Sequence, residues 1–397
     1  MSEITRTTRI SLRDAAREPF RFFFPQAVLA GILGVMLWPL HFWGVSEFYP
    51  NLAHVRVMAN GFFGGFIIGF LGTAMPRMLS AKPFTLAETL ILLLLHAAMT
   101  IAYAVNKTFY GDVVLLLLLV RFVICLARRF GTRKDTPPPG FVLVLLSFIC
   151  VTAGAILSIA QNDRDFDSQW IALQRLLSSQ GFVLLPVLGI GPFILPRFFG
   201  MPSAHDFAEM LKPSPAWAKK ALFAFGVGIL IIGTFFLEAF GWFRLAHALR
   251  FLVTLIYLAR EFPFGAGPKS SSALGLALRI ALITLLAGFL SVAFFPQFRT
   301  GLIHLTLVGG FAIITFIVAT RVVFGHSGNI EKLKGKNRWL LWIIGLILFA
   351  MATRISGDIW PKVMISHYVY GAIIWAVAVI WWAIKVLPKV REHEAEE

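Results

Sequence analysis

Charge is what this chain has least of. Only 14% of its 397 residues are charged and just 20 are acidic, against about a quarter charged in ordinary soluble domains. That scarcity excludes a typical cytosolic protein. Cysteine is nearly absent as well: Cys125 and Cys150 are the two in the chain, and both lie at or inside apolar runs. They offer no thiolate ligand set and say nothing about redox compartment. No paired carboxylates, nucleophile triad or phosphate-cradling loop interrupts the apolar segments, so hydrolytic and phosphoryl chemistry are not expected. Nothing in the sequence demonstrates turnover of any kind.

What is present is hydrocarbon, 58% of the residues. Runs long enough to cross roughly 30 Å of bilayer, about 20 residues each, recur twelve times, near 22–43, 52–75, 85–104, 112–127, 141–160, 177–198, 217–239, 242–260, 272–295, 302–324, 338–354 and 364–387. The fourth and eleventh are short. The expectation is an all-α, polytopic transmembrane helical bundle of about 12 helices, with a basic lead over residues 1–21, one membrane domain over 22–387 and a tail over 388–397. The first run is too long for a signal-peptide core and no small-residue cleavage site follows it, so it reads as a retained helix.

A net charge of +16 would in a soluble protein suggest nucleic acid. In a membrane protein basic residues first report orientation. Counting those at run ends with the adjoining connection, 24 of the Lys and Arg residues fall on the face holding the N-terminus and 7 on the other, leaving five (Arg56, Arg121, Arg250, Arg279 and Arg321) assigned to the apolar runs themselves. Both termini are therefore expected in the cytoplasm, the lipid bilayer is the expected partner, and no nucleic acid is.

This orientation gives the histidines a depth. His54, His247, His304 and His367 each open a helix descending from the outer face, and His41 lies near the outer end of the first. Five of the nine histidines thus share one level. Neutral imidazole is well suited to iron or copper, and ionisable residues inside a bundle mark functional sites by default; single interfacial histidines more often serve as hydrogen-bonding groups.

Below His54, on a wheel of 100° per residue, Met58, Gly61, Gly65 and Gly72 fall on one stripe, with Gly69 about 60° away. Such spacing signifies either a close helix contact or a smooth groove for a flat macrocycle beneath the histidine. Arg250, three residues after His247, either meets an anionic group such as a haem propionate or pairs with an acid such as Glu238. Arg121, Arg279 and Arg321 lie where snorkelling explains them. The sixth run carries Pro186, Pro192 and Pro196 with Gly189 and Gly191, so it must kink or break; transporters build sites on broken helices, and a secondary transporter is the alternative reading, with a non-catalytic membrane scaffold behind it. The second and tenth runs also echo one another, each opening on a histidine and passing through Gly-Gly-Phe.

Four stretches, PFRFFFPQAVLAGILGVMLW at 19–38, GFLGTAMPRM closing the second run, IHLTLVGGFAIITFIVATRVVFGHSG in the tenth and HYVYGAIIWAVAVIWW in the last, resemble the NnrS family. The resemblance implies a twelve-helix bacterial inner-membrane protein holding haem b and copper, linked to nitric oxide tolerance in denitrification or nitrosative stress. A small diatomic ligand such as nitric oxide is the implied partner. The family's second helix opens on His-Ala-His-Glu-Met; here the aligned residues are His54, Val55, Arg56, Val57 and Met58. The loss of the second histidine and the glutamate removes support for copper and leaves a haem on His54. His304, Arg321, Gly325 and His326 match the tenth-helix pattern, and His367 the twelfth. From position and resemblance together, His54 is expected on one axial side and His304 or His367 on the other, with His247 and Arg250 near the cofactor's edge.

Overall fold

A computed structural model describes residues 7–162, 165–208, 210–262 and 272–394. The chain forms α1 (Phe20–Phe42), α2 (Asn51–Met78), α3 (Leu86–Ala104), α4 (Thr108–Gly131), α5 (Phe141–Ala160), α6 (Ser168–Phe199) and α7 (Pro215–Ala239). There follow α8 (Phe243–Glu261), then α9 (Ala273–Phe294), α10 (Pro296–His326), α11 (Arg338–Ile359) and α12 (Pro361–Arg391). Eleven of these are long and apolar enough to cross a membrane. The exception, α8, carries Arg244, Arg250, Arg260 and Glu261 in a short helix, which lowers its hydropathy. It nonetheless packs along α7 and α9. The fourth and eleventh helices, short as apolar runs, are full length because polar termini extend them: α4 continues to Gly131 and α11 to Ile359.

Strands β1 (Thr7–Arg9) and β2 (Glu392–Glu394) pair antiparallel, Thr8 opposite His393. The lead and the tail therefore meet at one end of the bundle. An even number of crossings follows, which makes α8 the twelfth span. Arg21 secures this clasp: its Nη1 donates to the carbonyls of Val390 at 2.7 Å and Glu392 at 2.8 Å. Glu18 sits at the centre, accepting from Arg21, from His326 Nδ1 at 2.7 Å and from Arg77. Burial works to raise the Glu18 carboxyl, but the His326 hydrogen bond and the charges of His326, Arg21 and Arg77 outweigh it and hold the group down at about 2.

Local signals explain the helix ends. Thr85 and Glu88 form a reciprocal capping box at the start of α3, and Ser214 caps α7 ahead of Pro215. At the opposite end of the bundle, Gly44 and Gly241 turn the chain at φ of 75° and 91°, conformations open to glycine at little cost. The core is built on phenylalanine, with Phe20, Phe23, Phe62, Phe122 and Phe182 among its fully buried side chains. Both cysteines are buried and free.

Candidate functional site

Three helices relax at the end of the bundle opposite the clasp. α2 becomes π-helical over Val57–Phe63, α6 over Leu177–Gly181 and α10 over Leu305–Ala312. A π turn bonds i to i+5, so each inserts about one residue and swings the side chains beyond it by roughly 100°. Such bulges are frequent at functional sites. All three line one cavity of about 310 Å³, at the lower end of the roughly 300–1,000 Å³ typical of ligand pockets. Exposed Asn51, Arg175 and Thr300 mark its mouth, and its walls are mostly apolar, with Trp38, Phe63, Leu307 and Trp375 prominent.

Two of the five outer-level histidines reach this cavity, His54 and His304. Each is oriented by the backbone. His54 Nδ1 lies 2.8 Å from the Gly34 carbonyl of α1, and His304 Nδ1 lies 2.9 Å from the Thr300 carbonyl. A carbonyl only accepts, so Nδ1 carries the proton in the neutral ring and Nε2 keeps its lone pair. No protein group bonds either Nε2 among the described residues. This is how ligating histidines are commonly prepared, one nitrogen fixed and the other available.

The other three lie elsewhere. His367 is half-buried at the start of α12 and donates through Nδ1 to Ser356 Oγ at 2.7 Å, the serine itself donating to Thr353; its neighbours Tyr368 and Gly371 line the cavity, but its ring does not. His41 sits against Phe42 and Tyr49 beside the α1–α2 turn. His247 is buried with Nε2 3.2 Å from Glu238 Oε2, without the alignment of a hydrogen bond. Arg250 takes the second of its two expected roles. Its guanidinium is fully buried, with Nη2 on Glu238 at 2.8 Å, Nε on Thr234 at 2.9 Å and Nη1 on Gln180 at 2.8 Å. Gln180 lines the cavity, so His247 and Arg250 stand behind the wall rather than in it.

The cations that do reach the cavity are Arg175 and Arg354. Arg354 lies 3.8 Å over the Tyr368 ring and donates through Nη1 to Asp358 at 2.8 Å, while Arg175 has no ion-pair partner among the described residues. Arg175 stands just ahead of the sixth apolar run and Arg354 is the last residue of the eleventh, so position along the sequence did not single them out. The available signal was their rarity: they are two of seven cations on the charge-poor face.

The glycine stripe of α2 serves helix packing. A Cβ on Gly61 would meet Thr100 Oγ1 at 3.1 Å and on Gly65 Ala27 Cβ at 2.8 Å; on Gly69 it would meet Phe23 Cβ at 2.7 Å and on Gly72 Pro19 Cγ at 3.0 Å. The stripe faces α1, α3 and the lead, and does not line the cavity. Gly69 is as tight as its neighbours, because it follows Gly65 by about one turn in the regular part of α2 and meets α1 through Phe23 as Gly65 does through Ala27. Arg56, on the far side of α2 from the cavity, is buried and paired with Asp112 at 2.5 Å.

Among the described residues, no group of three or more His, Cys, Asp or Glu gathers as a metal site. Comparison with curated proteins yields no match. The profile of the NnrS protein, in contrast, matches residues 15–393, nearly the whole chain, and the chain is a multi-pass helical membrane protein that belongs to the NnrS family.

Proposed function

We propose that the protein binds haem b in the cavity between α2, α6 and α10 and acts in the response to, or detoxification of, nitric oxide. The observation that supports this most directly is the pair of backbone-oriented imidazoles, His54 and His304, opening their Nε2 atoms to one amphipathic cavity. The donor set fits the group: imidazole for iron, aromatic and aliphatic walls for a flat apolar ring, and Arg175 and Arg354 for its two carboxylates. Bound haem would supply an iron centre for a diatomic molecule. The chain's own contribution is to orient both imidazoles through the Gly34 and Thr300 carbonyls, hold the carboxylates at the mouth and keep water from the apolar interior. His367, bonded to Ser356 instead, is the less suited of the two expected partners of His54.

Copper suits the α2 position less. Arg56, which stands where the family carries a second histidine, is engaged with Asp112 and Ser158, and a guanidinium, unlike imidazole, has no lone pair to offer a metal. The excess of basic residues around the clasp, 24 against 7, supports an inner-membrane orientation with both termini cytoplasmic. A C-terminal reporter active only in the periplasm would reverse it.

One absorption spectrum of protein purified from haem-replete cells tests the reading. A Soret band is expected in the wild type, lost or shifted in His54→Ala and His304→Ala, and unchanged in His326→Ala, whose ring lies in the clasp. No Soret band in the wild type would favour the transporter reading, which rests on the interruption of α6 by a π turn, by Pro186 and Pro192, and by a 3₁₀ end at Leu195–Phe199.

A further inference from the structure

Beneath the outer cavity lies a second, smaller space that the proposed haem site does not use. It has a volume of about 80 Å³ and continues down the same three helices, between Phe66 and Phe70 of α2, Pro186 and Ile190 of α6 and Ile314 of α10, and it opens at its flank, where Ile67, Val187, Ile190 and Val318 are partly exposed on the membrane-spanning helices. No ionisable side chain lines it, and its one hydroxyl belongs to Thr315. A buried water needs two to four polar partners, and apolar cavities lacking them stay dry and admit xenon or benzene. At about 80 Å³ the chamber exceeds the roughly 10–15 Å³ that one water needs and falls short of the roughly 150 Å³ cavity that takes benzene. Its chemistry selects a small, neutral, apolar molecule.

The chamber and the outer cavity have two wall residues in common, Phe63 and Val183. Phe63 ends the π stretch of α2. Its ring is buried and makes edge contacts with Phe62 at a centroid distance of 4.8 Å and with Phe311 at 6.2 Å, and such contacts contribute about 0.5–1.5 kcal/mol each beyond burial. Phe63 is the larger of the two side chains standing between the spaces. Pro186, by withholding a backbone donor in mid-helix, loosens α6 on the opposite wall.

We infer that the chamber is a binding site for a neutral molecule of xenon or diatomic size, and that Phe63 is the partition such a molecule crosses to reach the space between His54 and His304. The occupancy of the chamber stands by itself; the destination rests on the haem reading. Xenon is the probe for the first. Under xenon pressure, the purified full chain should show xenon between Phe66, Ile190 and Ile314, and Ile190→Phe, or Val318→Phe should the first not fold, should abolish it. An empty chamber, or one filled by a detergent or lipid chain that xenon does not displace, overturns the site.

Carbon monoxide rebinding after flash photolysis of the reduced protein tests the passage. Ile190→Phe should retain the Soret band and rebind carbon monoxide from solution several-fold more slowly. Phe63→Ala, which removes the partition, should rebind faster than wild type. Unchanged rates in both variants, with the Soret band intact, overturn the passage and leave the haem site standing. Absence of a Soret band in wild type instead removes the destination, while the xenon result still decides the chamber.

Discussion

The ion pair of Arg56 and Asp112 should be among the most consequential contacts in the half of the bundle away from the β1–β2 clasp. Arg56 is 2% exposed and Asp112 fully buried, their polar atoms 2.5 Å apart. Tyr103 donates to the same carboxylate oxygen at 2.7 Å and Ser158 accepts from the other guanidinium nitrogen at 2.6 Å, so α2, α3, α4 and α5 are tied together at one level. Removing one partner strands a charge in a low-dielectric interior, at a cost of about 3–5 kcal/mol, whereas replacing both by apolar groups of similar volume is often neutral or better. Asp112→Leu and Arg56→Met should each destabilise by about that amount. The double variant should recover most of the loss, a coupling of several kcal/mol in the cycle. Equilibrium unfolding in mixed micelles, followed by circular dichroism, reads all four proteins. If each single variant loses less than about 1 kcal/mol, or if the two losses simply add, the pair is a solvated contact and the network reasoning is refuted. Haem content in the same samples reports a second consequence: His54 lies two residues from Arg56 on the same turn, so a loosened α2 should retain cofactor poorly.

Two other expectations concern packing and pH. Gly65→Leu and Gly69→Leu should be comparably destructive to assembly, because α1 lies equally close to both; thermal stability in detergent that fell for Gly65→Leu alone would restore the plain helical wheel. At the clasp, Glu18 is held at about 2 against an ordinary 4.5, so its stabilisation is fully present above about pH 4.5 and disappears as pH falls toward 2. It amounts to about 3 kcal/mol by linkage. Glu18→Gln should be less stable than wild type at pH 7, with the difference closing through that acid window; a difference independent of pH would show that shape rather than charge is what Glu18 contributes.

The membrane architecture was legible because apolar length and the distribution of lysine and arginine are properties of composition, and they survive local irregularity. Helix α8 could be placed although its arginines depress its hydropathy. The site was legible only in part. His54 and His304 were singled out by depth, and the pairing of Arg250 with Glu238 was one of the two roles open to that arginine. His247 and His367 share the same depth but turn away, and depth alone carries no azimuth. Azimuth was misread in α2 because a wheel of constant pitch assumes what the π segment at Val57–Phe63 violates. No residue type specifies a π turn, so neither this bulge nor those at Leu177–Gly181 and Leu305–Ala312 has a sequence signature. Arg175 and Arg354 were missed for a related reason, since they stand at the edges of their apolar runs, where the mouth of the cavity begins.

The bulge in α2 also reconciles two demands that a regular helix would bring into conflict. Gly61, Gly65 and Gly69 must face α1 and α3, where Ala27, Thr100 and Phe23 leave no room for a Cβ. His54 and Met58 must face the cavity. On an unbroken helix His54, Met58, Gly61 and Gly65 share one stripe, with Gly69 about 60° away, so turning the histidine toward the cavity would pull the glycines off their contacts. Inserting about one residue rotates the upper part by roughly 100° relative to the lower, and both faces are served. Deleting Ala59 from within the π stretch should restore regular pitch. The glycine contacts, which are spread over several close approaches to α1 and α3, should then keep their register while His54 rotates away from the cavity. The expected outcome is a folded protein with near-normal thermal stability and little or no haem. A deletion variant that keeps its full Soret band would show that the π turn does not set the direction of His54, and one that fails to fold should be compared with Met58→Ala, which leaves the pitch alone and should retain both fold and cofactor.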